Sequence, residues 1–264
     1  MDINNLTVSF DTADGEIKAV DDVSFSLEDG EILALVGESG CGKTVLCKSL
    51  MGLLPENALV TAHDMVNENI QVNKRFAMVF QNPFTALDPT MRIGDQIAES
   101  IRVNGITGSR FSKVNRERIK ARVCELLEQV GIDNPKERSR LYPHELSGGM
   151  RQRVVIAIAL AADPQILLAD EPTTALDVRT QAQILSLLKK INNETGMSMI
   201  FVSHDLYVVS QIADRVAVMK DGRIVENGSV QQIFETPKSE YTKKLLEAAR
   251  IIHGDKSNNE DYKA

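Results

Sequence analysis

The sequence is short of several things, and each shortage removes a class of function. No apolar run approaches the roughly 18 residues of a membrane-spanning helix; the longest, VVIAIALAA at 154–162, falls far below it. The opening stretch, MDINNLTVSF, has neither a basic nor an apolar segment, so no signal peptide is expected. Only three cysteines occur, Cys41, Cys47 and Cys124, with no C-x-x-C pair and no metal-ligand spacing. They read as reduced thiols, not as a disulfide framework or a zinc site. Positive charge is in deficit: 30 Lys and Arg against 37 Asp and Glu leave a net charge of −7, so no nucleic-acid partner is expected. What remains is ordinary globular composition, 43% hydrophobic and 25% charged over 264 residues, enough for one large domain or a domain with a subdomain.

Periodicity supplies the fold class. LTVSF and VSFSL read as short alternating strands and EILALVG as a buried one. A helix is predicted from Lys43 to about Leu54, stopped by Pro55, and FAMVFQ is a further strand. In residues 113–130, Val114, Ile119, Val123, Leu126, Leu127 and Val130 share one helical face, with charges on the other. A helix after LSGG runs to about Ala162, then come the strand QILLAD, the helix VRTQAQILSLLKKINNE and the strand MSMIFVS. RVAVMKDGRIVENG predicts a hairpin turning on Asp221-Gly222. Buried strands alternating with helices predict an α/β fold with a parallel-sheet core. An antiparallel β subdomain at the N-terminus and an α-helical subdomain at about 82–160 are expected to be attached. Residues 1–250 form the expected domain and 251–264, polar throughout, a frayed tail.

The chemistry begins at GESGCGKT, which fits G-x-x-x-x-G-K-[ST] between a strand and a helix. Across Gly37, Glu38, Ser39, Gly40, Cys41, Gly42, Lys43 and Thr44, the glycines let successive N–H groups converge on phosphate oxygens, and the following helix start adds partial positive charge. Lys43 would reach the terminal phosphates and Thr44 would offer a hydroxyl to Mg²⁺. ILLADEP ends a buried strand on Asp170, placed to hold the magnesium's water shell, and Glu171 beside it can orient or deprotonate a water. Neighbours on a strand point to opposite faces, so only one of this pair is expected to face the metal. Ser147-Gly148-Gly149, at a helix start, is a second anion-binding N-terminus. Two phosphate sites for one nucleotide make sense where two chains meet.

With LSGGMRQR beside these motifs, the sequence resembles the ATP-binding subunits of ABC transporters over nearly its whole length. The resemblance implies that two ATP molecules are sandwiched head to tail between two such subunits, alike or different, with Ser147, Gly148 and Gly149 on the γ-phosphate held opposite. It implies that Gln81, in MVFQNP, approaches Mg²⁺ and the attacking water and faces the membrane subunit. Thr174 to Asp177, TALD, resembles the segment that crosses the dimer, His204 in FVSHD the histidine that contacts the γ-phosphate, and Phe10 the aromatic stacked on adenine. GESGCGKT, MGLLP, QNPFTALDP, YPHELSGGMRQR, ADEPTTALDV and TPKSEYTKKLL together resemble the peptide/nickel importer group. The expected function is therefore ATP hydrolysis driving import of peptides, nickel or metal chelates. The expected partners are two transmembrane permease subunits and, indirectly, an extracytoplasmic solute-binding protein, at the cytoplasmic face of the membrane. A soluble ABC-type ATPase is the alternative. Two departures stand out: no C-terminal cysteine cluster is present, which leans toward the shorter nickel or metallophore members, and the 52–81 region is shorter than the group's usual strand pair.

Overall fold

The computed structural model describes residues 1–13, 15–62, 76–104, 113–174 and 176–253. In chain order the elements are β1 (Asp2–Thr12), β2 (Gly15–Ser26), β3 (Ile32–Val36), α1 (Lys43–Leu50), β4 (Ala58–Thr61) and β5 (Phe76–Val79). Helices α2 (Pro83–Ala86), α3 (Ile93–Val103), α4 (Lys113–Gln129), α5 (Pro135–Arg138) and α6 (Gly148–Leu160) follow. The remainder is β6 (Ile166–Asp170), α7 (Val178–Thr195), β7 (Ser198–Ser203), α8 (Leu206–Ile212), β8 (Arg215–Lys220), β9 (Arg223–Ser229), α9 (Val230–Glu235) and α10 (Glu240–His253). The α/β class expected from the alternation is the one observed. No helix among the described residues is long and apolar enough to cross a membrane.

The chain divides into two compact units: residues 1–70 with 201–264, and residues 71–200. In the first, β1 pairs antiparallel with β2 and with β4, giving a three-stranded sheet ordered β2-β1-β4. Leu6, Val8, Val20 and Val23 are its fully buried side chains. β4 lies in the shortened region, whose residues 63–75 lie outside the described ones. A further set of paired strands in this unit runs β3-β8-β9. All five residues of β3 are buried, and it pairs parallel with β8 from Leu33 opposite Arg215 to Val36 opposite Val218. Asp214 fixes that register: its carboxylate accepts the Ile32 N–H at 2.9 Å and its own N–H reaches the Ile32 carbonyl at 2.9 Å. The nearly buried Glu31 pairs with Arg215 at 3.1 Å beside it. β8 and β9 form the expected hairpin, with Asp221 at φ 47° and Gly222 at φ 79°. Positive φ at both central residues is what a two-residue turn matched to strand twist requires.

Two predicted helix ends are corrected. α1 ends at Leu50, short of Leu54, because Gly52 takes the left-handed conformation (φ 66°) and Leu53 N–H returns to the Lys48 carbonyl at 2.9 Å. That closing turn satisfies the last carbonyls before Pro55 can act. The helix after LSGG likewise stops at Leu160, two residues before Ala162.

In the second unit, β5 and β6 pair parallel, Phe76 opposite Ile166 through Val79 opposite Ala169, and the order is β5-β6-β7. The helices α2 to α6 of the expected 82–160 region all lie in this unit. Ile93, Ile97 and Ile101 on α3, Leu126 and Leu127 on α4, and Ile156 on α6 are fully buried, so α3, α4 and α6 share one core. Ile119, Val123 and Val130 are buried as predicted, while the Val114 side chain lies outside the described part.

α10 is pinned at its start by a carboxylate from β9. Glu226 accepts the N–H groups of Lys238 at 2.7 Å and Ser239 at 3.0 Å, which would otherwise be orphaned ahead of the helix. Burial pushes the Glu226 carboxyl up, but hydrogen bonds led by the Lys238 N–H, with the Ser239 N–H beside it, outweigh it and hold it below the ordinary 4.5. A carboxyl depressed on folding contributes stability above its unfolded value and loses it as pH falls through the folded one. We therefore expect wild type and Glu226→Gln to differ in urea midpoint at pH 7 and to converge as the pH drops well below 4.5. A gap that stays constant down to pH 3 would show that the charge of Glu226 is not what fastens α10.

Candidate nucleotide site

In the first unit, β3 delivers the chain into the glycine-rich loop, and α1 begins at Lys43. Lys43 is only 5% exposed. Burying an ammonium costs several kcal/mol unless its donors are met. Here they are met by the carbonyls of Gly37 at 2.9 Å and Glu38 at 2.8 Å and by the Cys41 sulfur at 3.7 Å. The loop thus curls around its own lysine. Two of its glycines have no substitute. A Cβ on Gly37 (φ 155°) would stand 2.2 Å from the Met219 carbonyl oxygen, and one on Gly42 (φ 106°) 2.2 Å from that of Ala19. The loop is held from outside as well, the Gly222 N–H donating to the Cys41 carbonyl at 3.1 Å. Glu38, Ser39, Gly40 and Thr44 are exposed, and Cys41 is buried. His204 is exposed directly after β7, followed by Asp205, whose carboxylate caps α8 through the N–H groups of Tyr207 and Val208. Phe10 is half-buried on β1, opposite Ile17 of β2 and Ala58 of β4.

In the second unit, register alone explains the next contact. Val79 lies opposite Ala169 in parallel strands, so Gln81 and Glu171, each two residues further on, emerge together at the strands' carboxyl ends. Gln81 Nε2 donates to Glu171 Oε2 at 2.8 Å, and the Thr174 hydroxyl donates to the same oxygen at 2.9 Å. Asp170, 6% exposed, is the last residue of β6. Glu171 is not a strand residue: its φ is 47°. The reason expected for their separate roles, alternation along one strand, is therefore corrected: β6 ends at Asp170, and Glu171 lies beyond it where the backbone turns left-handed. Such a conformation costs a non-glycine residue about 1–3 kcal/mol, and residues held that way cluster at functional sites.

The LSGG segment and the TALD segment meet in the same unit. Ser147 caps α6 by accepting the Met150 N–H at 3.3 Å, and Gly148 and Gly149 open the helix. Asp177 caps α7, accepting the Thr180 N–H at 2.9 Å and the Thr180 hydroxyl at 2.8 Å. Those two bonds, the backbone one first, hold the Asp177 carboxyl below its usual range. The methyl of Thr180 then fills the space over Gly149, where an added Cβ would lie 2.4 Å away. Sequence reasoning missed Thr180, although an Asp followed three residues later by Thr at a helix start is a legible cap. Nothing local could have shown that the Thr180 methyl meets Gly149.

The residues fit the groups the sequence calls for. The loop offers backbone N–H groups where Cβ atoms cannot stand, and within the same unit the exposed Thr44 hydroxyl is a hard oxygen donor of the kind that suits Mg²⁺.

Comparison with known proteins gives a consistent answer. The family described as ABC transporter matches residues 20–174. The chain is 46% identical over 260 residues to the oligopeptide transport ATP-binding protein OppD of Bacillus subtilis, covering 93% of this chain and 70% of that one. It is 47% identical over 259 residues to the dipeptide transport ATP-binding protein DppD of the same organism, covering 93% and 75%. Among solved structures it superposes on the dimeric bacterial ABC transporter cassette MJ0796 with a TM-score of 0.71 at 28% identity, covering 87% of this chain and 98% of that one. Against cbiO1 of Clostridium perfringens, part of the transporter complex cbiONQ, the TM-score is 0.70 at 25% identity, covering 94% and 95%.

Gly42→Ala tests the loop's fit. A Cβ pressed into the Ala19 carbonyl at an unfavourable φ should cost about 2 kcal/mol or more of folding stability. Chemical denaturation measures it; a loss under about 0.5 kcal/mol would mean the loop re-forms elsewhere.

Proposed function

The chain belongs to the ABC transporter family and is an ATP-hydrolysing cassette; from that premise we propose that it energises import of peptides. The supporting observation for the chemistry is the pairing of Gln81 and Glu171 beyond two parallel strands, with Thr174 on the same carboxylate oxygen. The relatives' names, oligopeptide and dipeptide transport, support peptides over nickel or a metal chelate as cargo.

In this proposal the stretch Gly37 to Thr44 takes the phosphates, with the Lys43 ammonium exchanging its loop carbonyls for phosphate oxygens. Thr44, Asp170 and Gln81 are the magnesium-side oxygen donors. MgATP, when bound, supplies the phosphoryl group that water attacks. Glu171 is the base that takes the water's proton, one of its carboxylate oxygens held by Gln81 and Thr174. His204 steadies the γ-phosphate and Phe10 stacks on adenine. Ser147, Gly148, Gly149 and Asp177 belong to the contact with a second cassette, in keeping with the dimeric MJ0796 cassette. Two permease subunits at the cytoplasmic face of the membrane would receive the motion, and a solute-binding protein would deliver the cargo.

Glu171→Gln keeps the hydrogen bonds but removes the base. Retained MgATP affinity with hydrolysis slowed at least about 10²-fold is the expected result. Hydrolysis at the wild-type rate would assign the base elsewhere. For the transport reading, the chain reconstituted with its permeases in vesicles should take up a peptide in proportion to ATP consumed. Uptake of nickel instead would move the cargo to the metal branch, and ATP consumption without any uptake would favour the uncoupled ATPase.

A further inference from the structure

The stretch TPKSEYTKKLL contributes to the family likeness without any chemistry attached to it, and the structure assigns one to its tyrosine. We propose that Tyr241 of α10 is a positioning residue for the phosphate loop, setting nucleotide affinity through a hydrogen bond to the loop's backbone. This rests on the nucleotide reading of residues 37–44.

The Tyr241 hydroxyl oxygen accepts the Glu38 N–H at 3.2 Å, across 203 positions of sequence. Its ring is held from another side by the Lys220 ammonium, 5.2 Å from the ring centroid. Burial, the first of its causes, keeps the phenol above its usual range, so the hydroxyl is neutral at physiological pH. The helix that carries it starts on the Glu226 carboxylate, so the ring is mounted on a fixed base.

The loop needs such a fixture. Gly37, Gly40 and Gly42 all sit at positive φ, and glycines lose more conformational freedom on ordering than any other residue. A ligand that finds the loop already shaped avoids that cost. Two bonds from outside shape it. The Gly222 N–H holds the Cys41 carbonyl, and Tyr241 holds the Glu38 peptide, next to the carbonyls of Gly37 and Glu38 that engage Lys43. Fixing the Glu38 peptide therefore also fixes the place from which the lysine is released to phosphate.

Tyr241→Phe removes one oxygen and leaves the ring and its cation in place. Loss of a single hydrogen bond at this strength should raise the ATP dissociation constant and KM about three- to tenfold. The expected kcat stays within twofold, the melting temperature shifts little, and amide exchange at Glu38 accelerates. A dissociation constant and Glu38 exchange equal to wild type overturn the proposal. So does a fall in kcat at constant KM, which would make Tyr241 something other than a positioner of the loop. Wild-type protein that binds no ATP would refute the nucleotide reading itself, and this inference with it.

Discussion

A buried ammonium organises the first unit. Lys43 can be almost fully enclosed only because the loop before it presents two carbonyls and a sulfur, and the loop presents them only by winding back on itself. That winding demands glycine geometry, close approach to Met219 and Ala19, and a rigid strand feeding the loop. The rigidity traces to Asp214 and the Glu31–Arg215 pair, which lock β3 against β8. Breaking such a partly buried pair on one side leaves an uncompensated charge, so the register of β3 is guarded by electrostatics as well as by apolar contact.

The second unit solves a different problem with parallel-strand register. Two polar side chains far apart in sequence must meet at one spot, and equal offsets from paired residues bring them there. The price is a left-handed Glu171, held in place by donors on its carboxylate. Strained backbone and satisfied side chain occur at the same residue, as expected where position matters more than local comfort.

Much of this was legible in the sequence. The phosphate loop, the acid pair, the LSGG helix start and the Asp221-Gly222 hairpin each carry local signals: glycine spacing, an apolar run ending in acids, a serine cap, a turn dipeptide. Gln81 and Glu171 could be named but not joined, since joining them takes knowledge that β5 lies beside β6. The end of α1 was misjudged because Pro55 was given the stop that Gly52 performs. Glu171 was misread as a strand residue because a left-handed residue after a strand has no marker when it is not glycine. Tyr241 was invisible, since its partner is a backbone N–H 203 residues away and backbone atoms leave no trace in a sequence.

The nearest walls that Gly37 and Gly42 press against are main-chain oxygens, those of Met219 and Ala19, with the flexible end of the Met219 side chain further out. Main-chain atoms survive every point substitution. Drift in side-chain identity at positions 19 and 219 should therefore leave this mould standing, whereas an insertion or deletion in β2 or β8 would slide a different peptide group under the loop. The segments that shape the site are free to change their spelling and bound to keep their length.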